Sequence, residues 1–241
     1  MKKIHIVGKD PEKAEKMRAQ LAEHGLEYVE SDPDLVISYG GDGIFLIAER
    51  IFPGVPKILI RDSEIGNKAQ DLDACQIVKL YLEGKYDVQE INKLKAVCRG
   101  RFEFRSLVGL NDVVIRNSLP TEAIRFKYRI NGGDWGDVLI GDGLVISTAY
   151  GSSRGAYFYS IVQKSFEEGI GVAFNNTTKA HDPLFLSSGD EIEIEITRGV
   201  GIMVSDNNRD SINLECGDKI VINQIDDVAR RMVLRDGDIK N

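Results

Sequence analysis

The sequence has few cysteines, and none of them is paired at metal-site spacing. Cys75, Cys98 and Cys216 are the three cysteines of a 241-residue chain, and no CxxC motif occurs. A disulfide framework needs an even, patterned set of cysteines, and a structural zinc site needs closely spaced thiols. The sequence therefore argues against both, and the thiols are expected to stay reduced.

The chain also lacks an excess of positive charge and a long apolar run. It has 31 Lys and Arg against 38 Asp and Glu, a net charge of −7. Nucleic-acid binders neutralise phosphates with basic residues, so we expect no nucleic-acid partner, although a small anionic ligand can still bind to grouped backbone N–H donors. The opening apolar run IHIVG is too short for a signal peptide, and no segment is long enough to span a bilayer. We expect a cytoplasmic protein with no membrane partner.

Residues 1–90 alternate strand and helix patterns, which predicts a small α/β, Rossmann-like domain. Asp10 and Pro11 are typical of a helix start, and Gly25 is typical of a helix end. The predicted strands are KIHIVG, LEYVE, DLVIS and KILIR, and two further helices are predicted in IFLIAERIF and DLDACQIVKLYLEG.

Residues 91–225 change to short alternating strands separated by turns, which predicts a β-rich, sandwich-like domain. The residues Asn131–Gly133 are typical of a hairpin turn. One helix is predicted among these strands, from Ala156 to about Glu168. Residues 226–241 form a C-terminal segment that is too apolar for disorder and can pack back on the first domain.

The segment YGGDGIFL places Asp42 between a predicted strand and a predicted helix. Gly40, Gly41 and Gly43 allow the backbone to approach a ligand closely, and amides at a helix N-terminus favour phosphate. A carboxylate among such amides is unfavourable unless it accepts a proton or holds a magnesium ion. An ordinary turn, with Asp42 bonded to its own backbone, explains the pattern equally well.

Two later segments share this ambiguity. Residues 141–160, GDGLVISTAYGSSRGAYFYS, pass from a second Gly-Asp-Gly through a strand and a small, hydroxyl-rich loop into a helix, a pattern that suits phosphate and ribose. Residues 110–117, LNDVVIRN, open a strand with Asn111 and Asp112. Each segment alone is also typical of an ordinary loop or polar turn.

In this order, the three segments resemble the NAD kinase family. Its hallmarks are a GGDGT block in a small α/β domain, an Asn-Glu pair, and a long GDG…ST(P)TGSTAYxxS segment in a β-rich domain. The resemblance covers most of the chain. It implies a kinase that transfers a phosphoryl group from ATP or polyphosphate, with Mg²⁺, to the adenosine ribose 2′-hydroxyl of NAD, giving NADP. It also implies a homodimer or homotetramer.

The resemblance implies a role for each matching residue. Asp42 matches the catalytic aspartate that takes the proton of the ribose hydroxyl, and Tyr157 is a candidate for stacking on a base. No residue is assigned to a metal ion. The implied nucleotide-binding residues are Gly40, Gly41, Gly43, Asn111, Asp112, Asp142, Thr148, Ser152, Ser153, Ala156, Tyr157, Ser160, His181 and Asp206.

Several positions depart from the family pattern. Ile44 replaces the threonine of GGDGT, Asp112 replaces the usual glutamate, and Ala149 and Tyr150 replace Pro-Thr ahead of two extra residues in 152–155. The segments RDSEIGNKAQ, VSDNN and NNTTKAHDP match the family loosely. These departures fall on nucleotide-contacting segments and leave two alternatives: a kinase of the same fold with a sugar, nucleoside or lipid acceptor, and a catalytically weak NAD(P)-binding or sensing protein.

Overall fold

The computed structural model describes residues 2–60, 74–100, 104–153 and 155–235. These residues form two compact units. The first contains the described residues of Met1–Ile91 and Val228–Asn241, and the second contains those of Asn92–Asp227. The segment RDSEIGNKAQ, the first three residues of the predicted helix DLDACQIVKLYLEG and residue Arg154 lie outside the described residues.

The first unit is a parallel sheet with helices, as the alternating pattern predicts. The strands are β1 (Lys2–Gly8), β2 (Leu26–Tyr28), β3 (Leu35–Tyr39), β4 (Lys57–Ile60) and the end of β16 (Lys219–Leu234), and the helices are α1 (Pro11–Ala22), α2 (Asp42–Ile51) and α3 (Ala74–Leu82). The strands follow the order β2-β1-β3-β4, and β16 adds to β4 in parallel at Arg231 and Lys57.

Local capping explains where α1 begins. The Oδ1 atom of Asp10 accepts hydrogen bonds from the backbone N–H of Glu12 at 3.0 Å and of Lys13 at 3.3 Å. Pro11 fills the first helical position, where a missing N–H has no consequence. The sequence-predicted start of this helix is therefore correct.

Apolar residues are buried on both faces of this sheet, as expected for parallel strands. On one face, strand residues pack with α1, α3 and the end of β16; this cluster includes Ile4, Ile6, Leu21, Leu35, Ile37, Ile58, Ile60, Ile77, Met232 and Leu234. On the other face, Val7 and Val36 pack against Ile44 and Ala48 of α2. The position of α2 at the end of β3 is thus fixed by its own buried residues.

The second unit is a β-sandwich. The strands are β5 (Tyr86–Arg99), β6 (Phe104–Gly109), β7 (Asp112–Asn117), β8 (Ile124–Ile130), β9 (Leu139–Gly141), β10 (Gly143–Thr148), β11 (Ile170–Asn175), β12 (Leu184–Leu186), β13 (Glu191–Arg198), β14 (Gly201–Ser205), β15 (Ile212–Leu214) and the start of β16. One sheet has the order β12-β11-β10-β7-β14-β15. In the other, β16 pairs with β13, β13 with β8 and β8 with β9, and β5 pairs with β6. Alternate residues such as Ile192, Ile194 and Ile196 fill the core.

The helix predicted for Ala156–Glu168 is shorter than the sequence suggests. Helix α4 spans Tyr157–Val162 and ends because Gln163 takes a left-handed conformation, φ 53°, while its N–H bonds to the Tyr159 carbonyl. The chain then turns so that Phe166 packs edge-on against Phe158 at a ring distance of 5.5 Å. This tertiary contact overrides the local helical pattern.

Candidate nucleotide site

A glycine-rich loop joins β3 to α2 in the first unit. The N–H of Gly40 donates to the carbonyl of Ile60 at 2.9 Å, and Gly40 has φ +149°, a conformation that side-chain-bearing residues rarely adopt. A Cβ atom at Gly40 would lie 2.8 Å from Cγ1 of Ile44. Gly41 follows as the N-cap of α2. Both the backbone conformation and the close packing therefore require glycine at position 40.

Asp42 is the first residue of α2, so this helix begins earlier than the sequence predicts. A negative charge in the first turn is stabilised by the helix dipole, and the Ile44 N–H donates to the carbonyl of the N-cap residue Gly41 at 2.9 Å. The Oδ1 atom of Asp42 is buried, and Gly43 follows in the same turn. This end of α2 can combine an anion-binding backbone with a carboxylate that accepts a proton.

Ile44, which replaces the family threonine, faces the core. Its side chain is 1% exposed and packs with Val7, Val36 and Ala48 while also covering the α-carbon of Gly40. The change from a hydroxyl to an apolar side chain is thus absorbed by the packing beneath the loop.

A second group of predicted residues lies at the turn between β6 and β7 in the second unit. Asp206 follows β14, and its Oδ1 atom accepts hydrogen bonds from the N–H of Leu110 at 3.0 Å, Asn111 at 2.7 Å and Asp112 at 3.2 Å. Its Oδ2 atom also accepts from Leu110, at 2.9 Å. In return, the N–H of Asp206 donates to the Asp112 carbonyl at 3.0 Å. Asp206 therefore caps the turn with its carboxylate.

The backbone of Asn111 is held from the opposite side by the end of β10. Its carbonyl accepts from the Thr148 N–H at 2.9 Å, from the Ser147 hydroxyl at 3.1 Å and from the Thr148 hydroxyl at 3.3 Å. Gly151 packs directly on this backbone, because a Cβ there would lie 2.6 Å from the Asn111 Cα. The Oδ1 atom of Asn111 is buried and has no hydrogen-bond partner among the described residues.

Asp112 is a buried carboxyl beside another carboxylate. Burial, together with the nearby negative charge of Asp206, raises the pKa of Asp112 from 3.8 to about 7. Both causes disfavour the charged form. Near neutral pH this side chain therefore exchanges between a hydrogen-bond donor and an acceptor.

The conformation of the loop after β10 is held by hydrogen bonds of its own serine hydroxyls. The Ser152 hydroxyl, which is buried, donates to the Ala149 carbonyl at 2.7 Å and accepts from the Phe166 N–H at 3.1 Å. The Ser153 hydroxyl donates to the Tyr150 carbonyl at 3.2 Å. These contacts hold the 149–153 turn, so the loop's shape depends on the hydroxyls that the sequence assigns to a ligand.

Asp142 lies at the other end of the same strands. In the pairing of β7 with β10, Ser147 is opposite Asp112, whereas Gly143 is opposite Arg116. Extending this register, Asp142 and Asn111 are six strand positions apart, roughly 20 Å at about 3.4 Å per residue, so they do not belong to one compact cluster. The Asp142 carboxylate accepts from the Nδ2 atoms of Asn176 at 3.1 Å and Asn117 at 3.4 Å.

The remaining predicted residues lie near this Asp142 end or on α4. The Tyr157 hydroxyl accepts from Nδ2 of Asn175 at 2.9 Å, and the exposed ring of His181 stacks 5.3 Å from Phe174. Ala156 is the N-cap of α4, and the exposed Ser160 hydroxyl donates to the Tyr157 carbonyl at 2.6 Å. The second unit thus presents two groups of predicted residues rather than one.

Sequence reasoning missed two residues that shape these groups. Gly151 is required by close packing on Asn111, and Asn176 holds the Asp142 carboxylate. The glycine within YGSSRG and the asparagine pair in NNTTKAHDP are the only local signals, and neither identifies its partner. Pairing across strands was needed to find them.

Two features bear on metals and membranes. Within the described ranges, no group of three or more His, Cys, Asp or Glu side chains is arranged to hold a metal ion. No helix in the part of the chain that the structure describes is long and apolar enough to cross a membrane.

Comparison with known proteins decides the family. No protein-family model matches the chain. However, an NAD kinase of Aquifex aeolicus is 30% identical over 209 residues, which is 83% of this chain and 75% of the relative. The chain belongs to the NAD kinase family. A second NAD kinase, from Nitrosospira multiformis, is 28% identical over 206 residues, covering 82% of this chain and 69% of that protein.

Solved structures show the NAD kinase fold. Yeast NADH kinase, in a crystal structure with NADH, has a TM-score of 0.82 at 15% identity, covering 99% of this chain and 85% of that one. An NAD kinase from Archaeoglobus fulgidus, crystallised with ATP, has a TM-score of 0.77 at 18% identity, covering 98% and 94%. The predicted combination of an α/β domain and a β-rich domain is confirmed, as is the family resemblance.

Proposed function

We propose that this chain phosphorylates the adenosine ribose 2′-hydroxyl of NAD with ATP, giving NADP. Similarity to the Aquifex aeolicus NAD kinase along most of both chains carries the proposal. The glycine loop supports it, because Gly40 is held in a glycine-only conformation and Asp42 starts the following helix. Polyphosphate is the other candidate donor.

In the proposed mechanism, Asp42 accepts the proton of the ribose hydroxyl as that oxygen attacks the γ-phosphorus of ATP, and the bond from this phosphorus to the bridging oxygen breaks to release ADP. Phosphoryl transfer depends on positioning and on stabilising charge, and the protein forms no covalent bond. The N-terminus of α2 places the positive end of its helix dipole at the glycine loop, which favours phosphate oxygens there. Ile44 is buried and offers no hydroxyl, so the proposed mechanism assigns no role to a side chain at this position.

Magnesium fits this site as a partner of the nucleotide. Mg²⁺ commonly binds through one or two carboxylates together with substrate phosphates, and it neutralises charge that develops on the transferred group. Asp42 is the carboxylate of the loop that can contribute.

In the second unit, we assign dinucleotide binding to both groups of residues. Asn111 offers a buried acceptor oxygen, Asp112 is a donor or acceptor according to pH, and Tyr157 has a partly exposed ring beside Asn175. Asp142 at the other end of β10 suits a ribose hydroxyl. The remaining assigned positions, Ser153, Ala156, Ser160 and His181, stay predictions from the family pattern.

The decisive experiment is a coupled NADP-production assay on the wild-type chain and on Asp42→Asn. Asparagine keeps the size of the side chain but cannot accept the proton, so we expect turnover to fall by on the order of a hundred- to ten-thousand-fold while NAD and ATP still bind. Asp10→Asn is the matched control, because asparagine caps a helix as well as aspartate and Asp10 starts α1 instead of α2. Undiminished turnover in Asp42→Asn would exclude Asp42 as the base.

The two alternative functions are less favoured, since the curated relatives compared above are NAD kinases. A panel of sugar, nucleoside and lipid acceptors with labelled ATP tests the first alternative, which fails if NAD alone is phosphorylated. Calorimetry with NAD(H) and NADP(H) tests the sensing protein, which measured turnover would eliminate.

We also propose a homodimer or homotetramer in the cytoplasm. The oligomeric state follows from the family resemblance and is measured directly by light scattering after size-exclusion chromatography. The separation of Asp142 from Asn111 along β7 and β10 means that one ligand contacts both only if it extends along the strands or bridges two copies. Cell fractionation tests the location.

A further inference from the structure

The turn that carries Asn111 is held from two directions by the side chains of Asp206 and Thr148. On one side, both carboxylate oxygens of Asp206 accept from turn amides, with four N···O distances between 2.7 and 3.2 Å. Asp206 itself has a left-handed backbone, φ 49°. Aspartate adopts this conformation more readily than most residues other than glycine, and the hydrogen bonds to the turn hold it there.

On the other side, the hydroxyl of Thr148 joins the turn to the loop after β10. It donates to the Leu110 carbonyl at 2.7 Å and accepts from the Gly151 N–H at 2.9 Å. The Thr148 hydroxyl thus uses its proton and an acceptor position within the protein. The Thr148 hydroxyl therefore fixes the position of the turn relative to the start of the 149–153 loop.

As a result, both backbone polar groups of Asn111 are hydrogen-bonded within the described part of the protein, whereas its side-chain oxygen is not. The N–H of Asn111 bonds to Asp206, its carbonyl bonds to Ser147 and Thr148, and its buried Oδ1 has no partner among the described residues. A buried acceptor without a donor is unfavourable unless a ligand supplies one. The geometry suits a hydroxyl or amino donor on the bound dinucleotide.

We infer that Asp206 and Thr148 are positioning residues, which hold the Asn111 turn in its ligand-competent form and do not themselves touch the nucleotide. This inference rests on the proposed function, and it changes the role that the family pattern suggests for both residues. Asp206 is unsuited to direct contact because its two oxygens are already used by the turn and because it lies beside the Asp112 carboxyl.

The experiment compares Asp206→Ala, Thr148→Val and Thr148→Ser with the wild-type chain in three measurements. These are the KM for NAD and kcat in the NADP-production assay, NAD affinity by calorimetry, and hydrogen exchange of the amides of residues 110–112. Valine keeps the shape of threonine without its hydroxyl, whereas serine keeps the hydroxyl. Asp190→Ala is the matched control, because Asp190 also caps a turn, accepting from the Ser187 N–H at 2.7 Å, and plays no part in the proposed site.

We expect Asp206→Ala and Thr148→Val to raise the KM for NAD and its Kd by roughly tenfold or more, with a smaller change in kcat, and to speed exchange at residues 110–112. Thr148→Ser should keep NAD affinity and the exchange rate at residues 110–112 close to the wild-type values, and Asp190→Ala should change neither. Slow exchange with a raised KM in Asp206→Ala would overturn the inference in favour of direct contact. Fast exchange with an unchanged KM and Kd would also overturn it.

Failure of the proposed function looks different. In that case the wild-type chain itself makes no NADP, whatever the variants do. If the wild type binds NAD without turnover, calorimetry and exchange still decide whether Asp206 and Thr148 position Asn111. If it neither binds NAD nor makes NADP, the ligand-positioning role is overturned together with the proposed function.

Discussion

The stability of this protein should depend on pH through Asp112. Its carboxyl group is buried, 6% exposed, and lies beside the negative charge of Asp206, which together raise its pKa from 3.8 to about 7. Asp112→Asn replaces the titrating group with a neutral one of the same shape. The variant therefore separates the effect of the charge from the effect of the side chain's volume.

The sign and size of the effect follow from the two pKa values. Between pH 3.8 and about 7 the folded state keeps a proton that the unfolded state releases, so the free energy of unfolding falls as pH rises through this window. Each pH unit contributes about 1.4 kcal/mol, so the difference of 3.2 between the two values corresponds to a total of about 4 kcal/mol. About 2–3 kcal/mol of this lies between pH 5 and 8. Asp112→Asn should not show this decrease in the free energy of unfolding, because asparagine does not titrate.

Urea denaturation of both proteins at pH 5 and pH 8 measures this difference. From pH 5 to pH 8, we expect the free energy of unfolding of Asp112→Asn to rise by about 2–3 kcal/mol relative to that of the wild type. Asp190→Asn is the control, because hydrogen bonds from Asn131 and Ser187 lower the pKa of Asp190. The stabilisation from Asp190 is lost only as the pH falls toward that lowered pKa, so it should be unchanged between pH 5 and 8. An equal gap between the wild type and Asp112→Asn at both pH values would show that Asp112 is ionised throughout.

Two further substitutions test the supports of the two units. Lys57 is fully buried, and its ammonium group donates to the Glu49 carboxylate at 2.5 Å and to the Phe52 carbonyl at 2.7 Å. Lys57→Met should lower the free energy of unfolding by about 3–5 kcal/mol, because it leaves the Glu49 charge buried. A loss below about 1 kcal/mol in urea denaturation would contradict this expectation. In Gly151→Ala the added Cβ should clash with the Asn111 backbone, which should lower the free energy of unfolding by about 1–3 kcal/mol and weaken NAD binding in calorimetry. Gly189→Ala is the control: its Cβ would meet nothing within 4 Å, so NAD binding should be unchanged.

Local chemistry explains what the sequence predicts well. Asp10 and Pro11 specify a helix start by themselves, and the alternation of apolar residues in EIEIEITRG specifies a strand with one buried face. The position of Asp42 beside a strand end and a helix start is likewise encoded within eight residues. Such features depend on neighbours in the chain, so a single sequence contains the needed information.

The missed features depend on partners far along the chain. Helix α4 ends at Val162 because of packing by Phe166 that no helical periodicity reveals. The register of β7 against β10 decides that Asp142 lies far from Asn111. The capping role of Asp206 joins residues 94 to 96 positions apart. These features follow from strand pairing, which composition and spacing do not specify.

The last long strand, β16, has a consequence for biosynthesis. Met232 and Leu234, near its end, belong to the same apolar cluster as Ile4 and Leu35 near the start of the chain. A ribosome therefore releases the opening ninety residues long before the side chains that finish their interior, so this unit cannot complete its folding first, as leading domains usually do. During that interval the unfinished sheet is exposed to proteases and chaperones, and a truncated transcript ending after the second unit would leave it permanently incomplete.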